Sequence, residues 1–179
     1  SHFMMAYKTE FTNLGTIGIC GRKFDGITKT ELVAETRLDA ALSNNSFSPI
    51  LILLSNDEVL LVWSAIFDGQ TNPFKRKFSL NLADFSSQDV ISFETNHPNK
   101  FVSAAVVPAG GYSVVWEYQS WDPSTIDIYA KIYKNDGSVW MDKTKINLNQ
   151  NNDWHYPSVA TFSGGFVAVW DSPTSSYGQ

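Results

Sequence analysis

Apolar and polar positions alternate along most of the chain in short runs, and these runs recur with a long period. Three segments each hold an alternating apolar run, a turn of polar residues or glycine, and a second apolar run that ends in tryptophan. The three tryptophans, Trp63, Trp116 and Trp170, are 53 and 54 residues apart. Period-two alternation predicts half-buried strands, and a turn such as Ser163-Gly164-Gly165 tolerates the positive φ of a tight hairpin. Each segment is therefore predicted to be a β-hairpin.

The remainder of each segment repeats as well. Residues 35–49 align without gaps on residues 143–157, and in both an acidic or amide residue follows an aliphatic one. Upstream of these, residues 17–26 and 126–137 are alternating runs that end in a glycine turn, as strands do. The unit is therefore four strands in about 54 residues, which is the size of one β-propeller blade.

This pattern resembles the tandem propeller-type repeats of large bacterial surface proteins and of ciliate proteins. The third copy carries the pattern most fully, with Pro157-Ser158-Val159-Ala160 followed by Gly164-Gly165-Phe166-Val167-Ala168-Val169-Trp170. The resemblance covers the chain from about Gly15 onward. It implies an all-β chain of propeller-like repeats and no particular activity, because propellers host many functions.

The unit boundaries predict a single repeat domain over residues 1–179. It is divided into a second half-blade at 15–47, blades at 48–101 and 102–156, and a first half-blade at 157–179. These amount to roughly three four-stranded blades, whereas the smallest closed propellers have about four. Because exposed strand edges need partners, we expect a homo-oligomer or strand exchange through the half-blades, or a longer propeller of which this chain is a fragment.

Composition excludes several classes of function. The chain is 43% hydrophobic and 14% aromatic, so it can bury a core. A formal net charge of -5 with 13 Lys and Arg leaves no basic surface for nucleic acid, and no apolar run is long enough for a membrane span. Cys20 is the only cysteine, which excludes an internal disulfide, and it is predicted to be a half-buried strand residue. No metal or cofactor is predicted, and a secreted or cell-surface location is favoured.

Tryptophans outside the repeat positions are candidate ligand contacts. The periodic tryptophans are expected to pack between blades, whereas the others lie in loops or at strand starts among polar residues. The apolar face of a sugar ring packs on an indole while amides and carboxylates hold its hydroxyl groups. Ordinary loop packing is the alternative. The predicted ligand-binding residues are Trp121, Tyr118, Asp122, Trp140, Asn152 and Trp154.

Three titratable residues are candidates for a metal site or for catalysis. His97 and His155 both precede a unit, and each imidazole is expected to hydrogen-bond loop backbone, with a shared zinc site as the alternative. Glu117 follows Trp116 and is the one candidate for a glycosidase carboxylate. Its equivalents Ser64 and Asp171 are polar too, which predicts a solvent-facing position instead. No phosphate loop, dinucleotide fingerprint or nucleophile motif is present.

The sequence therefore predicts a non-catalytic, propeller-like binding module, carbohydrate-binding in the manner of a lectin or acting in surface adhesion. Its ligand would be a glycan or a protein. The alternative is a structural, self-assembling scaffold subunit that completes its propeller through other chains. A propeller glycoside hydrolase is the third hypothesis.

Overall fold

The backbone forms four antiparallel sheets of consecutive strands. A computed structural model of the chain describes residues 1–11, 15–39, 45–55, 57–93, 97–120, 125–148 and 153–171, and these contain strands and turns throughout. The prediction of an all-β chain is confirmed. Among the residues that the structure describes, no helix is long and apolar enough to cross a membrane.

Each sheet takes its strands in sequence order, so that neighbours in the chain are neighbours in the sheet. The first sheet contains β1 (His2–Phe11), β2 (Thr16–Asp25) and β3 (Glu31–Arg37). The second contains β4 (Ser46–Leu53), β5 (Glu58–Phe67), β6 (Gln70–Ser79) and β7 (Asp89–Val90). The third contains β8 (Asn99–Val106), β9 (Tyr112–Gln119), β10 (Ile126–Tyr133) and β11 (Val139–Lys145), and the fourth contains β12 (His155–Phe162) and β13 (Gly165–Asp171).

The three predicted hairpins are present: β4 pairs with β5, β8 with β9 and β12 with β13. A further hairpin joins β5 to β6. β5 and β6 pair along their whole length, from Glu58 opposite Ser79 to Phe67 opposite Gln70. The two residues between them, Asp68 and Gly69, both have positive φ, at 51° and 74°. Two successive positive φ values match the right-handed twist of the strands they join. This turn therefore sets the register of the hairpin.

The sheets pack against one another in sequence order, and the cores lie between them. β4, β8 and β12 are the first strands of the second, third and fourth sheets. β8 contacts β4 on one side and β12 on the other, so the three lie side by side, and we call them the inner strands. Trp63 is fully buried in the core between the first and second sheets, and Trp116 in the core between the second and third. Their predicted role as packing between repeats is confirmed. Trp170, in the last of the described sheets, is only half-buried.

The first sheet contains a strand that the sequence pattern did not indicate. β1 pairs with β2 in unbroken register from His2 opposite Asp25 to Phe11 opposite Thr16. The repeat pattern in the sequence begins only at Gly15, because β1 lacks the Val-Trp ending that marks the second strand of each predicted hairpin. The first sheet thus has three strands of its own rather than two.

Candidate functional site

Each inner strand carries a β-bulge near its beginning. The register with the neighbouring strand shifts there in β4, β8 and β12 alike. One non-glycine residue in each bulge has a positive φ: Ser48 at 55°, Phe101 at 46° and Tyr156 at 53°. A side chain in this left-handed region costs about 1–2 kcal/mol, and bulges commonly re-aim side chains next to functional sites. The bulges therefore take residues 48, 101 and 156 out of the regular alternation at the same end of the three inner strands.

Glu117 lies beside two of these bulges. It is on β9, directly opposite Lys100 of β8, and its side chain reaches the beginning of β12. Oε1 of Glu117 accepts a hydrogen bond from the backbone N–H of Tyr156 at 2.7 Å and lies 3.4 Å from Nδ1 of His155. Only 3% of Glu117 is exposed. The carboxyl group thus joins the third sheet to the fourth.

The surroundings of Glu117 favour its protonated form. Burial raises the pKa of the Glu117 carboxyl above its ordinary value, because the charged form is poorly solvated there. The hydrogen bond from the Tyr156 amide and the nearby side chains of His155 and Lys100 lower the pKa of Glu117, but burial is the larger effect. A carboxyl that keeps its proton to a higher pH than a free glutamate is suited to act as a general acid.

The expectation that Glu117 faces solvent was wrong. That expectation rested on its polar equivalents, yet Ser64 in the second sheet is completely buried. Asp171 in the fourth sheet is exposed. The difference arises because the second and third sheets are each covered by a following sheet, whereas no described strand follows β13. Exposure at this repeat position depends on the neighbouring sheet and not on the residue.

Two exposed aromatic rings accompany the carboxyl. Phe101 follows Lys100 in β8 and Tyr156 follows His155 in β12, and their rings meet edge to face with centroids 4.8 Å apart. Phe101 is 39% exposed and Tyr156 is 59% exposed. The His155 ring lies 5.8 Å from that of Tyr156. We call Lys100, Phe101, Glu117, His155 and Tyr156 the Glu117 cluster.

The buried residues next to Glu117 hold its strand rigidly. Nε1 of Trp116 donates a hydrogen bond to Oδ1 of Asn99 at 2.9 Å, and Nδ2 of Asn99 donates to Oδ1 of Asn72 at 3.2 Å. All three residues are fully buried. Satisfied polar networks of this kind fix one arrangement of the core. The backbone on which Glu117 stands is therefore well positioned.

The six predicted ligand-binding residues are not brought into one place among the described residues. Tyr118 and Trp154 are both half-buried at the end of the sheets where the Glu117 cluster lies. Tyr118 stacks on His97 at 5.2 Å, whereas Trp154 packs edge to face on Trp170 at 6.3 Å. Trp121, Asp122 and Asn152 lie outside the described residues.

Trp140 lies at the opposite end of the third sheet. Its neighbour Val139 is opposite Tyr133 and Tyr133 is opposite Tyr112, whereas Tyr118 is opposite Asp127 at the other end of the same strands. Trp140 is exposed and lines a shallow cleft with Gly110 and Asn135. Trp140 and Tyr118 therefore do not share one site.

The two histidines have different partners. Nδ1 of His97 lies 2.8 Å from the backbone carbonyl of Gln119, as expected of a histidine that bonds loop backbone. His155 instead lies against the Glu117 carboxyl group, with its Nδ1 3.4 Å from Oε1. Within the described ranges, no three His, Cys, Asp or Glu side chains are grouped closely enough to hold a metal ion. In the sequence Glu117 and His155 are separate candidates. The signal that links them is the repeat: Glu117 lies opposite the beginning of β8, and His155 lies at the beginning of β12, the next inner strand.

Comparison with known proteins gives similarity in structure but not in sequence. No family model matches the chain, and no curated protein matches it in sequence. Among solved structures, the α-L-arabinanase of Penicillium chrysogenum in complex with arabinobiose superposes with a TM-score of 0.69 at 12% identity. It covers 94% of this chain, which corresponds to 53% of the arabinanase.

Two further solved structures extend this comparison. The GH93 α-L-arabinofuranosidase of Fusarium graminearum has a TM-score of 0.67 at 14% identity, over 97% of this chain and 54% of that enzyme. The α-L-arabinanase of Cellvibrio cellulosa, complexed with arabinohexaose, has a TM-score of 0.52 at 13% identity, over 96% and 65% of the two chains. The chain thus spans about half the length of the first two enzymes.

These similarities correct the functional expectation. The sequence predicts a non-catalytic binding module, with a glycoside hydrolase as the third hypothesis, whereas the structures that match include several glycoside hydrolases. The prediction of no enzymatic role is contradicted. The prediction of a propeller is supported, and the chain has the β-propeller-type fold that these glycosidases share.

Proposed function

We propose that this chain is the part of a propeller-type glycoside hydrolase that supplies a proton-donating carboxyl group, Glu117. The observation that supports this proposal is the position of Glu117, which is a buried carboxyl with a raised pKa beside two exposed aromatic rings. The arabinanases and arabinofuranosidase that share the fold make arabinose-containing glycans the first substrates to test.

Hydrolysis of a glycoside uses two carboxyl groups, one that protonates the leaving oxygen and one that acts on the opposite face of the sugar. In the proposed reaction the Glu117 carboxyl gives its proton to the glycosidic oxygen as the bond from that oxygen to the anomeric carbon breaks. Water then supplies the hydroxyl group at the anomeric carbon and returns a proton to the enzyme. His155 and Lys100 stabilise the Glu117 carboxylate after the proton has left.

For the second carboxylate we propose Asp171. It occupies the repeat position of Glu117 in the fourth sheet and lies directly opposite His155 across β12 and β13. It is exposed to solvent, so its carboxyl group is accessible to a water molecule or to the sugar. The two carboxyl groups are thus both next to His155.

The test is turnover of arabinan, arabinohexaose and an aryl α-L-arabinofuranoside by the purified chain. Glu117→Gln removes the proton and should lower the rate about 100-fold or more, the range for loss of a general acid. Asp171→Asn should lower it as well. Glu10→Gln, an exposed residue of β1, is the matched control and should leave the rate unchanged. Turnover that survives in Glu117→Gln would exclude the proposed role.

We also propose that two copies of the chain associate through the uncovered face of the fourth sheet. In the repeat, Val167 is equivalent to Leu60 of the second sheet and Ser113 of the third. Val169 is equivalent to Val62 and Val115. All four of these equivalents are fully buried. Val167 and Val169 themselves are 51% and 60% exposed. The apolar side chains of Val167 and Val169 are therefore expected to pack against another sheet.

The first sheet of a second copy fits this role. Met4 and Ala6 pack toward the second sheet, so Phe3 and Met5 project from the other face of β1, where both are exposed. A second copy would also supply an amount of sheet close to what the arabinanase has in addition to this chain. Such a contact joins two different faces, in the head-to-tail manner.

Light scattering over a range of concentrations tests this association. We expect a mass above that of one chain, which the double variant Val167→Asp with Val169→Asp should return to that of a monomer. Val139→Asp is the matched control, since Val139 is an exposed valine on β11, away from the fourth sheet. A monomer at every concentration would contradict the association.

A further inference from the structure

The bulges of the inner strands place aromatic residues where the backbone disfavours them. Positive φ values near 50° suit glycine and, to a lesser degree, asparagine, whereas a bulky residue there is an outlier. Two of the three bulges nevertheless carry a large ring, Phe101 and Tyr156, and the remaining one carries Ser48. The backbone alone gives no reason for the rings.

Packing gives little reason for them either. Phe101 and Tyr156 are among the exposed large hydrophobic side chains, and neither belongs to a core between the sheets. Their rings contact each other edge to face at 4.8 Å, and the Tyr156 ring also lies 5.8 Å from that of His155. Strained residues that the core does not need commonly serve a site.

The two rings are tied directly to Glu117. The backbone N–H that Tyr156 gives to the Glu117 carboxylate is available because the bulge turns it out of the strand pairing. Phe101 is next to Lys100, which lies opposite Glu117. The bulge with Ser48 has no such carboxylate, since the equivalent of Glu117 there is Ser64. The rings therefore occur only where the carboxyl is present.

We propose that Phe101 and Tyr156 form a stacking platform for one sugar ring of an oligosaccharide whose adjacent glycosidic bond lies at Glu117. Aromatic faces bind the C–H surface of a sugar, and the nearby His155 and Lys100 offer donors for its hydroxyl groups. This inference rests on the proposed hydrolase, because it supplies the substrate-binding surface for the same site.

Glycine substitution separates binding from stability. Phe101→Gly and Tyr156→Gly remove the rings but keep the positive φ at lower strain. A residue retained for structure would lose stability on this change, whereas a platform residue would lose binding with the unfolding midpoint unchanged or raised. Each variant is made in the Glu117→Gln background so that the oligosaccharide is bound and not cleaved.

Calorimetric titration with arabinohexaose is the measurement. We expect the affinity to fall about tenfold or more in each glycine variant, in line with loss of one aromatic contact, and to persist in Tyr156→Phe. Phe162→Gly is the matched control, since Phe162 is an exposed aromatic at the other end of β12. Unchanged affinity in both glycine variants, or an affinity loss equal to that of the control, would overturn the platform.

The outcomes for the platform and for the hydrolase differ. Binding that depends on the rings, without turnover by the chain that retains Glu117, would support the platform and contradict the catalytic role. Turnover that depends on Glu117, together with binding that does not change when the rings are removed, would support the catalytic role and contradict the platform. Absence of both turnover and sugar binding would overturn the two together.

Discussion

At the scale of single residues, folding changes the protonation of Glu117. A carboxyl whose pKa is higher in the folded than in the unfolded chain binds its proton more tightly when folded. Between those two pKa values the folded state holds more protons, and the free energy of unfolding therefore decreases as the pH rises. Below the unfolded pKa both states are protonated and the decrease has not begun.

We therefore predict that the free energy of unfolding falls as the pH rises above the ordinary pKa of glutamate, through the raised pKa of Glu117. Glu117→Gln, which cannot ionise, should lack this part of the fall. Urea denaturation at a series of pH values measures the difference between the two proteins. In the same titration His155→Gln should extend the fall to higher pH, since it removes a group that lowers the Glu117 pKa. Parallel profiles for wild type and Glu117→Gln would contradict the assignment.

The sequence identified the chemistry of Glu117 but not its environment. One repeat of the sequence is enough to show that residue 117 is a glutamate that follows a predicted core tryptophan. Its burial depends on the contact with β12, nearly forty residues further along the chain. Likewise Cys20 of β2, expected to be half-buried, is fully buried, and burial raises its pKa to about 11. Contacts between sheets decide such properties, and a pattern of period two does not report them.

At the scale of elements, two glycines allow the turn chemistry to be tested. Gly111 directly precedes β9, the return strand of the β8–β9 hairpin, with φ of 107°, and an added Cβ would lie 2.0 Å from the backbone oxygen of Tyr133. Gly69 also has a positive φ, 74°, but has nothing within 4 Å. A side chain at either position would thus strain the backbone, but only at Gly111 would it also clash with neighbouring atoms.

Gly111→Ala is predicted to lower the free energy of unfolding by about 3 kcal/mol or more, because the clash with rigid backbone adds to the strain. Gly69→Ala should cost only about 1–2 kcal/mol, the strain alone. Urea denaturation of both variants checks the difference. Equal losses would mean that the β10 backbone yields to the new methyl group.

The hairpins could be predicted from sequence because glycine and asparagine mark positive φ. The bulges could not, since Phe101 and Tyr156 adopt such a φ without being residues that favour it. β1 was missed for a related reason: it carries alternation but no Val-Trp ending. Sequence therefore indicates the elements that obey local preferences, and the candidate site lies where those preferences are overridden.

At the scale of the whole molecule, the equivalent tryptophans report how completely each sheet is covered. Trp116 is fully buried and hydrogen-bonded to Asn99, whereas Trp170 is only half-buried. Trp116→Phe removes buried surface and leaves the Asn99 oxygen without its donor, so we predict a loss of about 2–4 kcal/mol. Trp170→Phe should cost below about 1 kcal/mol.

Denaturation of the two variants at low protein concentration measures this contrast. At high concentration the cost of Trp170→Phe should grow if copies associate over the fourth sheet, because the tryptophan then becomes covered. Equal costs for Trp116→Phe and Trp170→Phe at every concentration would contradict the difference in burial.

The order of strands within the sheets also bears on how the protein is made. In every described sheet the strands are consecutive in the chain, and no sheet has to wait for a strand from a distant segment. Loop closure is therefore inexpensive for each one, and short-range pairing favours fast folding. During synthesis, the β1–β3 sheet can form while later repeats are still being added, and each new sheet finds the apolar face of its predecessor already in place. Folding during synthesis would therefore proceed one repeat at a time, from the N-terminal sheet onward.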